Sequence, residues 1–302
     1  MRSARRTATV VGAAAAVGSA VSYAGTVVIG RTLARDGLDG PTALGVRFVL
    51  GASLLFGLQA ARGRAVLPRG GDGVRLLLLG AVGYGLESSL FYLALERGTA
   101  AAVSLIFYSY PALVTVATVA LGHAAVTAPR LAAVAASSAG VVLVVTAGGD
   151  VAISAAGIAA ALGAAVAFTA YLVTSDRLVD HDEPIRNAAA ISAGAALTMF
   201  LRGVVGGGFS SPAGHWPLLV TYGLMNAGAF GLMFTALRRV GATTTAVLLT
   251  AEVFATVLLA AAFLDEPLGW VQVVGGVAIV GGGAMAAATG PRIDPEAAAE
   301  PP

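Results

Sequence analysis

The stretch that decides the fold lies at residues 241–263 and reads GATTTAVLLTAEVFATVLLAAAF. It is long enough to cross a lipid bilayer, because a spanning helix needs about 20 predominantly apolar residues. Its only charged residue is Glu252, which falls near the middle of the stretch. The stretch therefore predicts a transmembrane helix with one carboxyl group near the centre of the membrane.

The composition of the whole chain has the same character. Of the 302 residues, 57% are hydrophobic and only 11% are charged, whereas a soluble domain carries about 25% charged residues. Glycine accounts for 40 residues; it is costly in soluble helices but common in membrane helices. This composition argues against a soluble enzyme, a disordered chain and a coiled coil, and it predicts an all-α integral membrane protein.

Several classes of chemistry find no support in the sequence. The chain has no cysteine, so it can form no disulfide, iron–sulfur cluster or thiolate nucleophile. Its net charge is only +2. Nucleic-acid binding would require basic residues gathered on one face, whereas most arginines of this chain lie in short loops. The three histidines are scattered, and no nucleotide-binding motif is present. We therefore expect no metal, no cofactor, no nucleic-acid partner and no enzymatic activity.

Ten apolar stretches predict ten membrane crossings. If the N-terminus is cytoplasmic, 13 of the 18 arginines lie in cytoplasmic segments and 4 lie outside, while Arg47 lies within a crossing. The positive-inside rule then predicts a multi-pass protein of the cell (plasma or inner) membrane with both termini in the cytoplasm. The stretches span residues 8–30, 41–60, 76–95, 99–121, 131–148, 154–175, 187–205, 213–237, 242–263 and 268–289.

An internal duplication divides these crossings into two sets of five. A shift of 143 residues aligns 98–140 with 241–283 without a gap, and it matches Gly98 with Gly241 and Gly140 with Gly283. Since five crossings are an odd number, the second copy must be inverted in the membrane, an arrangement typical of secondary transporters. The alternative is that two apolar hairpins look alike by composition. The predicted domains are two five-helix repeats at 1–148 and 149–290, and a disordered cytoplasmic tail at 291–302.

Seven short motifs follow one another along the chain: RF at 47–48, GTAAA at 98–102, YP at 110–111, LGH at 121–123, GATTTA at 241–246, AEVF at 251–254 and LDEPL at 264–268. In these motifs and their order the chain resembles the EamA-like permeases of the drug/metabolite transporter superfamily. The resemblance covers essentially the whole chain, with departures from the family pattern at Val253, His123 and Tyr23. It implies ten crossings in two inverted repeats around a central cavity, and transport of a small molecule without naming that molecule.

Three ionisable residues fall at membrane depth: Arg47, Glu87 and Glu252. Each costs at least ~2.5–3.5 kcal/mol at the bilayer centre and must face a partner or a cavity. Arg47 and Glu87 differ in predicted depth by only about 3 Å, so we expect them to pair or to share one polar cavity. The pair could bind or gate substrate, or it could fix helix register; otherwise Arg47 extends to the outer interface.

Glu252 is the candidate for proton coupling. Low dielectric favours the uncharged form of a carboxyl group, so Glu252 could take up and release a proton as the cavity alternates. Thr245 and Thr256 are spaced to lie on the same helix face. The alternative is a permanently protonated Glu252 that hydrogen-bonds a neighbouring helix.

The remaining candidate cavity residues are Tyr108, Pro111 and Asn226. Tyr108 and Pro111 lie on a semi-polar stripe of the fourth crossing, where Pro111 would leave a carbonyl without its usual partner. Such breaks are tolerated where they line a cavity, although an ordinary proline kink is the alternative. Asn226 lies near the midplane of the eighth crossing and could instead bond helices together. Small residues in the fifth and tenth crossings predict scaffold faces or a homodimer interface.

The leading hypothesis is a secondary transporter, expected to export a small polar or amphipathic metabolite such as an amino acid by alternating access. Its partners would be that small-molecule substrate and the lipid bilayer. The alternatives are an integral membrane enzyme that acts on lipid, and a membrane scaffold subunit without transport. The sequence shows no cluster of catalytic groups for the enzyme, and the cost of burying three ionisable residues argues against a pure scaffold.

Overall fold

The structure is a computed structural model. It describes residues 2–66, 71–95, 97, 103, 106–122, 127–147, 153–178, 183–263 and 268–289. The predicted tail at 291–302 lies outside these ranges, as do Ser104, which would begin the semi-polar stripe, and the motif residues 98–102, 123 and 264–267.

The elements in the described ranges are all helices. Seven of them are long and apolar enough to cross a membrane, and the three shorter apolar helices are Tyr110–Ala120, Ala251–Phe263 and Trp270–Ala286. Together they fall on the ten predicted stretches, so the prediction of an all-helical membrane protein is confirmed. The helices are α1 (Arg2–Arg35), α2 (Gly40–Ala61), α3 (Gly71–Leu78), α4 (Gly85–Leu95), α5 (Tyr110–Ala120), α6 (Ala128–Ala147), α7 (Ala155–Leu178), α8 (Pro184–Val205), α9 (Trp216–Leu249), α10 (Ala251–Phe263) and α11 (Trp270–Thr289), and a π-helical segment (Leu79–Tyr84) joins α3 to α4.

The stretch at 241–263 is not one continuous helix, contrary to prediction. Gly241 has φ +72°, which lets the chain turn from the eighth crossing into the ninth without a loop. At Thr250 the hydrogen bonding changes to the tighter 3₁₀ pattern, because the Thr250 amide donates to the carbonyl of Val247, three residues earlier, at 3.3 Å. Glu252 therefore lies in the first turn of α10, and its seven-residue spacing from Thr245 does not define one helix face.

The packing of the helices repeats between the two halves of the chain. Helix α1 packs on α9 as α7 packs on α4, and α10 packs on α1 as α5 packs on α7. Likewise α2 packs on α9 as α8 packs on α3 and the π-helical segment. The two remaining large contacts, α2 with α8 and α6 with α11, each join a helix to its own counterpart in the other half.

Glycines at the helix crossings repeat with the same spacing. A Cβ atom on Gly80 would overlap the Ile191 carbonyl oxygen, and one on Gly223 would lie 2.5 Å from the Cβ of Leu50. Gly80 and Gly223 are 143 residues apart in the sequence. Their partner helices carry Gly194 and Gly51, which show the same spacing and the same lack of room for a side chain. Contacts therefore repeat in helices outside the aligned segments at 98–140 and 241–283.

The small-residue faces of α6 and α11 meet each other within the chain. A Cβ on Gly140 would lie 2.5 Å from the Gly275 carbonyl oxygen, and one on Gly282 would lie 2.8 Å from that of Ala133. Ala132, which precedes Gly140 by eight residues in the same crossing, is exposed beside this face. The glycines thus serve the predicted scaffold role, while a homodimer stays a prediction.

Acidic residues tie the two ends of α2 to the chain segments that immediately precede and follow α8. Asp39 caps α2, and its Oδ2 accepts hydrogen bonds from the Ser210 amide at 2.6 Å and the Thr42 hydroxyl at 2.8 Å. At the opposite end, Glu183 precedes α8 and accepts a 2.8 Å hydrogen bond from the Gln59 side chain at the end of α2. These two contacts fix the helix that carries Arg47.

We predict that alanine at Gly80 destabilises the fold, because its methyl group would have to displace the Ile191 backbone. Overpacking of this kind costs about 1–3 kcal/mol, and thermal unfolding in detergent would measure it. The matched control is Gly57→Ala in α2, where a Cβ meets no atom within 4 Å. Equal melting temperatures for the two variants would contradict the close crossing.

We also predict a pH-dependent contribution from Asp39. Burial alone would raise its pKa, but hydrogen bonds from Ser210 and Thr42 outweigh burial and lower the pKa from 3.8 to about 2. The stabilisation is therefore complete above pH 3.8 and is lost as the pH falls through 2. Asp39→Ala should cost about 1 kcal/mol of unfolding free energy at neutral pH, and the difference from wild type should shrink below about pH 4. The exposed Asp72→Ala serves as control, and a difference that is constant down to the lowest pH would contradict this role.

Candidate functional site

The three ionisable residues predicted at membrane depth lie near one another inside the bundle. Arg47 is on α2, whereas Glu87 and Glu252 lie in the first turns of α4 and α10. Arg47 and Glu87 are each 7% exposed, and Glu252 is half-buried. Arg47 is within electrostatic range of both carboxyl groups. The structure thus brings these side chains to one site, although their part in binding or gating stays a prediction.

Arg47 is held by an amide and two aromatic rings. Its Nε donates a 3.0 Å hydrogen bond to Oδ1 of Asn226 on α9. Its guanidinium carbon lies 5.0 Å from the ring centroids of both Phe48 and Tyr222, which is within the range of cation–π attraction. These contacts place Arg47 inside the bundle and argue against its extending to the membrane surface.

Asn226 connects three helices through Ser192 on α8, a residue that the sequence patterns did not single out. Its Nδ2 donates to the Ser192 hydroxyl at 3.0 Å, and that hydroxyl donates to the Phe48 carbonyl at 3.1 Å. Asn226 and Ser192 are both fully buried. Asn226 thus links helices through hydrogen bonds and also contacts Arg47. A role in bonding helices is therefore compatible with a role in the central site.

Tyr108 and Pro111 lie where a helix restarts rather than within a kinked helix. Pro111 is in the first turn of α5, where its missing N–H group costs little. Just before α5, Tyr108 is buried and lies within electrostatic range of Glu252. The helix therefore breaks just before Pro111 and leaves Tyr108 near the carboxyl group, while a cavity-lining role for these two residues stays a prediction.

A row of aromatic rings connects the Arg47 end of the site to the Glu252 end. The sequence patterns missed most of its members, because single aromatics in alanine-rich helices follow no clear period. Phe48 contacts Tyr84 with centroids 5.7 Å apart, and Tyr84 contacts Tyr171 at 5.5 Å. The row continues through Tyr171–Phe168 at 5.9 Å, Phe168–Tyr110 at 4.8 Å and Tyr110–Tyr108 at 5.8 Å.

The polar residues of the site are not repeated in the opposite half. At the 143-residue spacing of the glycines, Ala190 stands opposite Arg47 and Phe230 opposite Glu87. Likewise Ser109 corresponds to Glu252, and Gly83 to Asn226. The halves thus share a packing scaffold but contribute different chemical groups to the site.

Known proteins share this architecture. A model of the EamA-like transporter family matches the chain twice, over residues 10–146 and 155–287. One solved crystal structure superimposes with a TM-score of 0.77 at 21% sequence identity, covering 93% of this chain and 98% of the other; it supports the fold alone. No curated protein matches the chain closely enough to count as a relative. The resemblance found in the motifs is confirmed by the two family matches, and the chain belongs to the EamA-like transporter family of the drug/metabolite transporter superfamily.

Proposed function

We propose that this membrane transporter is a secondary exporter of a small polar or amphipathic metabolite such as an amino acid. The observation that carries the proposal is the group of three ionisable side chains, Arg47, Glu87 and Glu252, inside an apolar bundle. Such groups cost free energy in a membrane interior, and they are typical of substrate and ion pathways. We place the protein in the plasma or inner membrane with both termini in the cytoplasm, following the arginine distribution.

Alternating access would follow from two inverted five-helix repeats. The paired helix contacts and the repeated glycines support two equivalent halves, and five crossings per half would invert the second copy. Inverted repeats exchange conformations around a site between them, which opens the site to one side of the membrane at a time. The site residues come from both halves, as this mechanism requires.

The helix breaks support a binding role for the two carboxyl groups. Glu87 follows the π-helical segment, and Glu252 follows the break at Thr250. Transporter sites are typically formed by discontinuous helices, and π-helical segments are frequent at functional sites. Glu87 and Glu252 could contact an amine while Arg47 contacts a carboxylate, which fits a zwitterionic substrate such as an amino acid.

Proton coupling would rest on Glu252. Its carboxyl group lies within electrostatic range of Arg47 and of the Tyr108 hydroxyl group. A protonated Glu252 would be uncharged in one state of the cycle, and its deprotonated form would be balanced by Arg47 or by a cationic substrate group. Exchange of proton for substrate would then drive export against a gradient.

Efflux from proteoliposomes tests the function. Vesicles containing the purified protein are loaded with an equimolar mixture of the twenty amino acids, and the released compounds are identified by mass spectrometry, with and without an imposed pH gradient. Selective efflux above protein-free vesicles supports the proposal. Efflux that matches protein-free vesicles for all twenty would contradict the assignment to amino acids.

We predict that Glu252→Gln removes the dependence of efflux on the pH gradient. Glutamine keeps the size and hydrogen bonding of a protonated glutamate but cannot exchange a proton. Asp72→Asn, which removes an exposed acid of α3, is the matched control and should leave the pH dependence unchanged. Full pH dependence in Glu252→Gln would exclude this residue as the coupling group.

A double-mutant cycle would measure the coupling between Arg47 and Glu87. Removing one member of a buried charge pair costs about 3–5 kcal/mol, because the other charge is left without compensation. We expect Arg47→Gln to show a cost of this size in thermal unfolding and Arg47→Gln/Glu87→Gln to recover part of it. Additive effects of the two substitutions would show that the residues do not interact.

A further inference from the structure

We propose that Ser192 is a positioning residue of the central site, and that it sets the orientation in which the Asn226 side-chain amide meets Arg47. Ser192 would act through Asn226, without contacting the substrate. The inference rests on the proposed function for its transport measurement only. The hydrogen-bonded circuit that carries it is independent of what the protein transports.

The circuit begins and ends on α2. Arg47 Nε donates to Asn226 Oδ1 at 3.0 Å, and Asn226 Nδ2 donates to Ser192 Oγ at 3.0 Å. Ser192 Oγ then donates to the carbonyl oxygen of Phe48 at 3.1 Å. Because Phe48 follows Arg47 in the sequence, the circuit closes on the backbone next to the arginine it holds.

The protons in this circuit permit only one orientation of the amide. A serine hydroxyl has a single proton, which Ser192 gives to the Phe48 carbonyl. The Ser192 oxygen can then only accept, so it needs the NH₂ group of Asn226 as its donor. The amide oxygen of Asn226 is left to face the Arg47 Nε–H group, which is always a donor.

The opposite orientation of the amide is excluded by the same groups. It would set the Asn226 NH₂ against the Arg47 Nε–H and the Asn226 oxygen against a Ser192 oxygen that has no proton to give. Both contacts are repulsive, and buried polar groups without partners are costly. The Arg47 Nε–H group and, through Ser192, the backbone carbonyl of Phe48 therefore favour the same orientation of the Asn226 amide.

Close packing keeps the amide of Asn226 in place. A Cβ on Gly51 would overlap the Asn226 Nδ2 atom and would lie 3.1 Å from its Cγ. Gly51 is one turn from Arg47 on α2, so the helix surface beside the arginine is pressed against the amide. Because this packing prevents the amide group of Asn226 from moving sideways, its remaining motion is a rotation by half a turn. The hydrogen bond to Ser192 opposes that rotation.

The test compares Ser192→Ala in two backgrounds. In the wild-type background we expect KM for the effluxed amino acid to rise about tenfold, since a buried hydrogen bond to a charged group is disturbed. In the Asn226→Asp background we expect Ser192→Ala to change KM by less than about twofold, because a carboxylate has two acceptor oxygens and no wrong orientation. A structural defect alone would lower efflux to the same degree in both backgrounds.

The matched control is Ser19→Ala. Ser19 is also fully buried, and its hydroxyl donates a single 2.7 Å hydrogen bond to the Ala229 carbonyl. This substitution should leave KM unchanged in both backgrounds. If Ser192→Ala does not fold, Ser192→Cys keeps a similar size with weaker hydrogen bonding and should change KM in the same direction by a smaller factor.

A second measurement needs no substrate. In protein labelled with ¹⁵N-arginine, the Nε–H signal that disappears in Arg47→Lys belongs to Arg47. We expect this proton to exchange slowly with solvent in wild type and Ser19→Ala, faster in Ser192→Ala, and slowly again in Ser192→Ala/Asn226→Asp.

Unchanged exchange in Ser192→Ala, or the same loss in both backgrounds, would overturn the proposal. If wild type exports no amino acid while the exchange pattern appears as expected, the proposed function fails and the positioning role of Ser192 stands.

Discussion

The hydrogen bond from Arg47 Nε to Asn226 Oδ1, 3.0 Å long, is the contact on which the centre of this bundle depends. Transfer of a guanidinium group out of water is costly, and only close, well-directed partners offset that cost. Arg47 has such a partner in Asn226 on α9. Its guanidinium group also lies near the rings of Phe48 on α2 and Tyr222 on α9. Its position therefore requires α2, α8 and α9 to meet at one place.

The glycines and the two acidic contacts provide that meeting point. Gly51 and Gly223 let α2 and α9 approach so closely that the backbone at each glycine nearly touches a side chain of the facing helix. Asp39 and Glu183 tie the two ends of α2 to the segments that flank α8. A side chain at either glycine would collide with Asn226 or Leu50 on the facing helix, so the helices would have to shift at the Arg47 contact. The geometry of the charged site is thus a consequence of packing between residues that carry no charge.

The sequence predicts the crossings and the charges well, because both depend on composition along a single helix. It reveals Arg47, Glu87 and Glu252 as ionisable residues within apolar stretches, and the duplication through matched glycines. It does not reveal the break at Thr250, since the apolar run of 242–263 continues through it. Ser192 was missed for a related reason: a serine in an alanine-rich helix has no special pattern, and its importance comes from the helices around it.

The difference between the two halves has a physical reason as well. Glycine contacts cost little to duplicate, and their repetition gives both halves the same packing. Duplicated ionisable groups would double the number of charges that the bilayer interior must accommodate, at ~2.5–3.5 kcal/mol or more for each. With Ala190 opposite Arg47 and Phe230 opposite Glu87, the central site holds one arginine and two carboxyl groups among its described residues rather than twice that number. A symmetric scaffold with an asymmetric site therefore keeps the repeated packing while it limits the cost of burying charge.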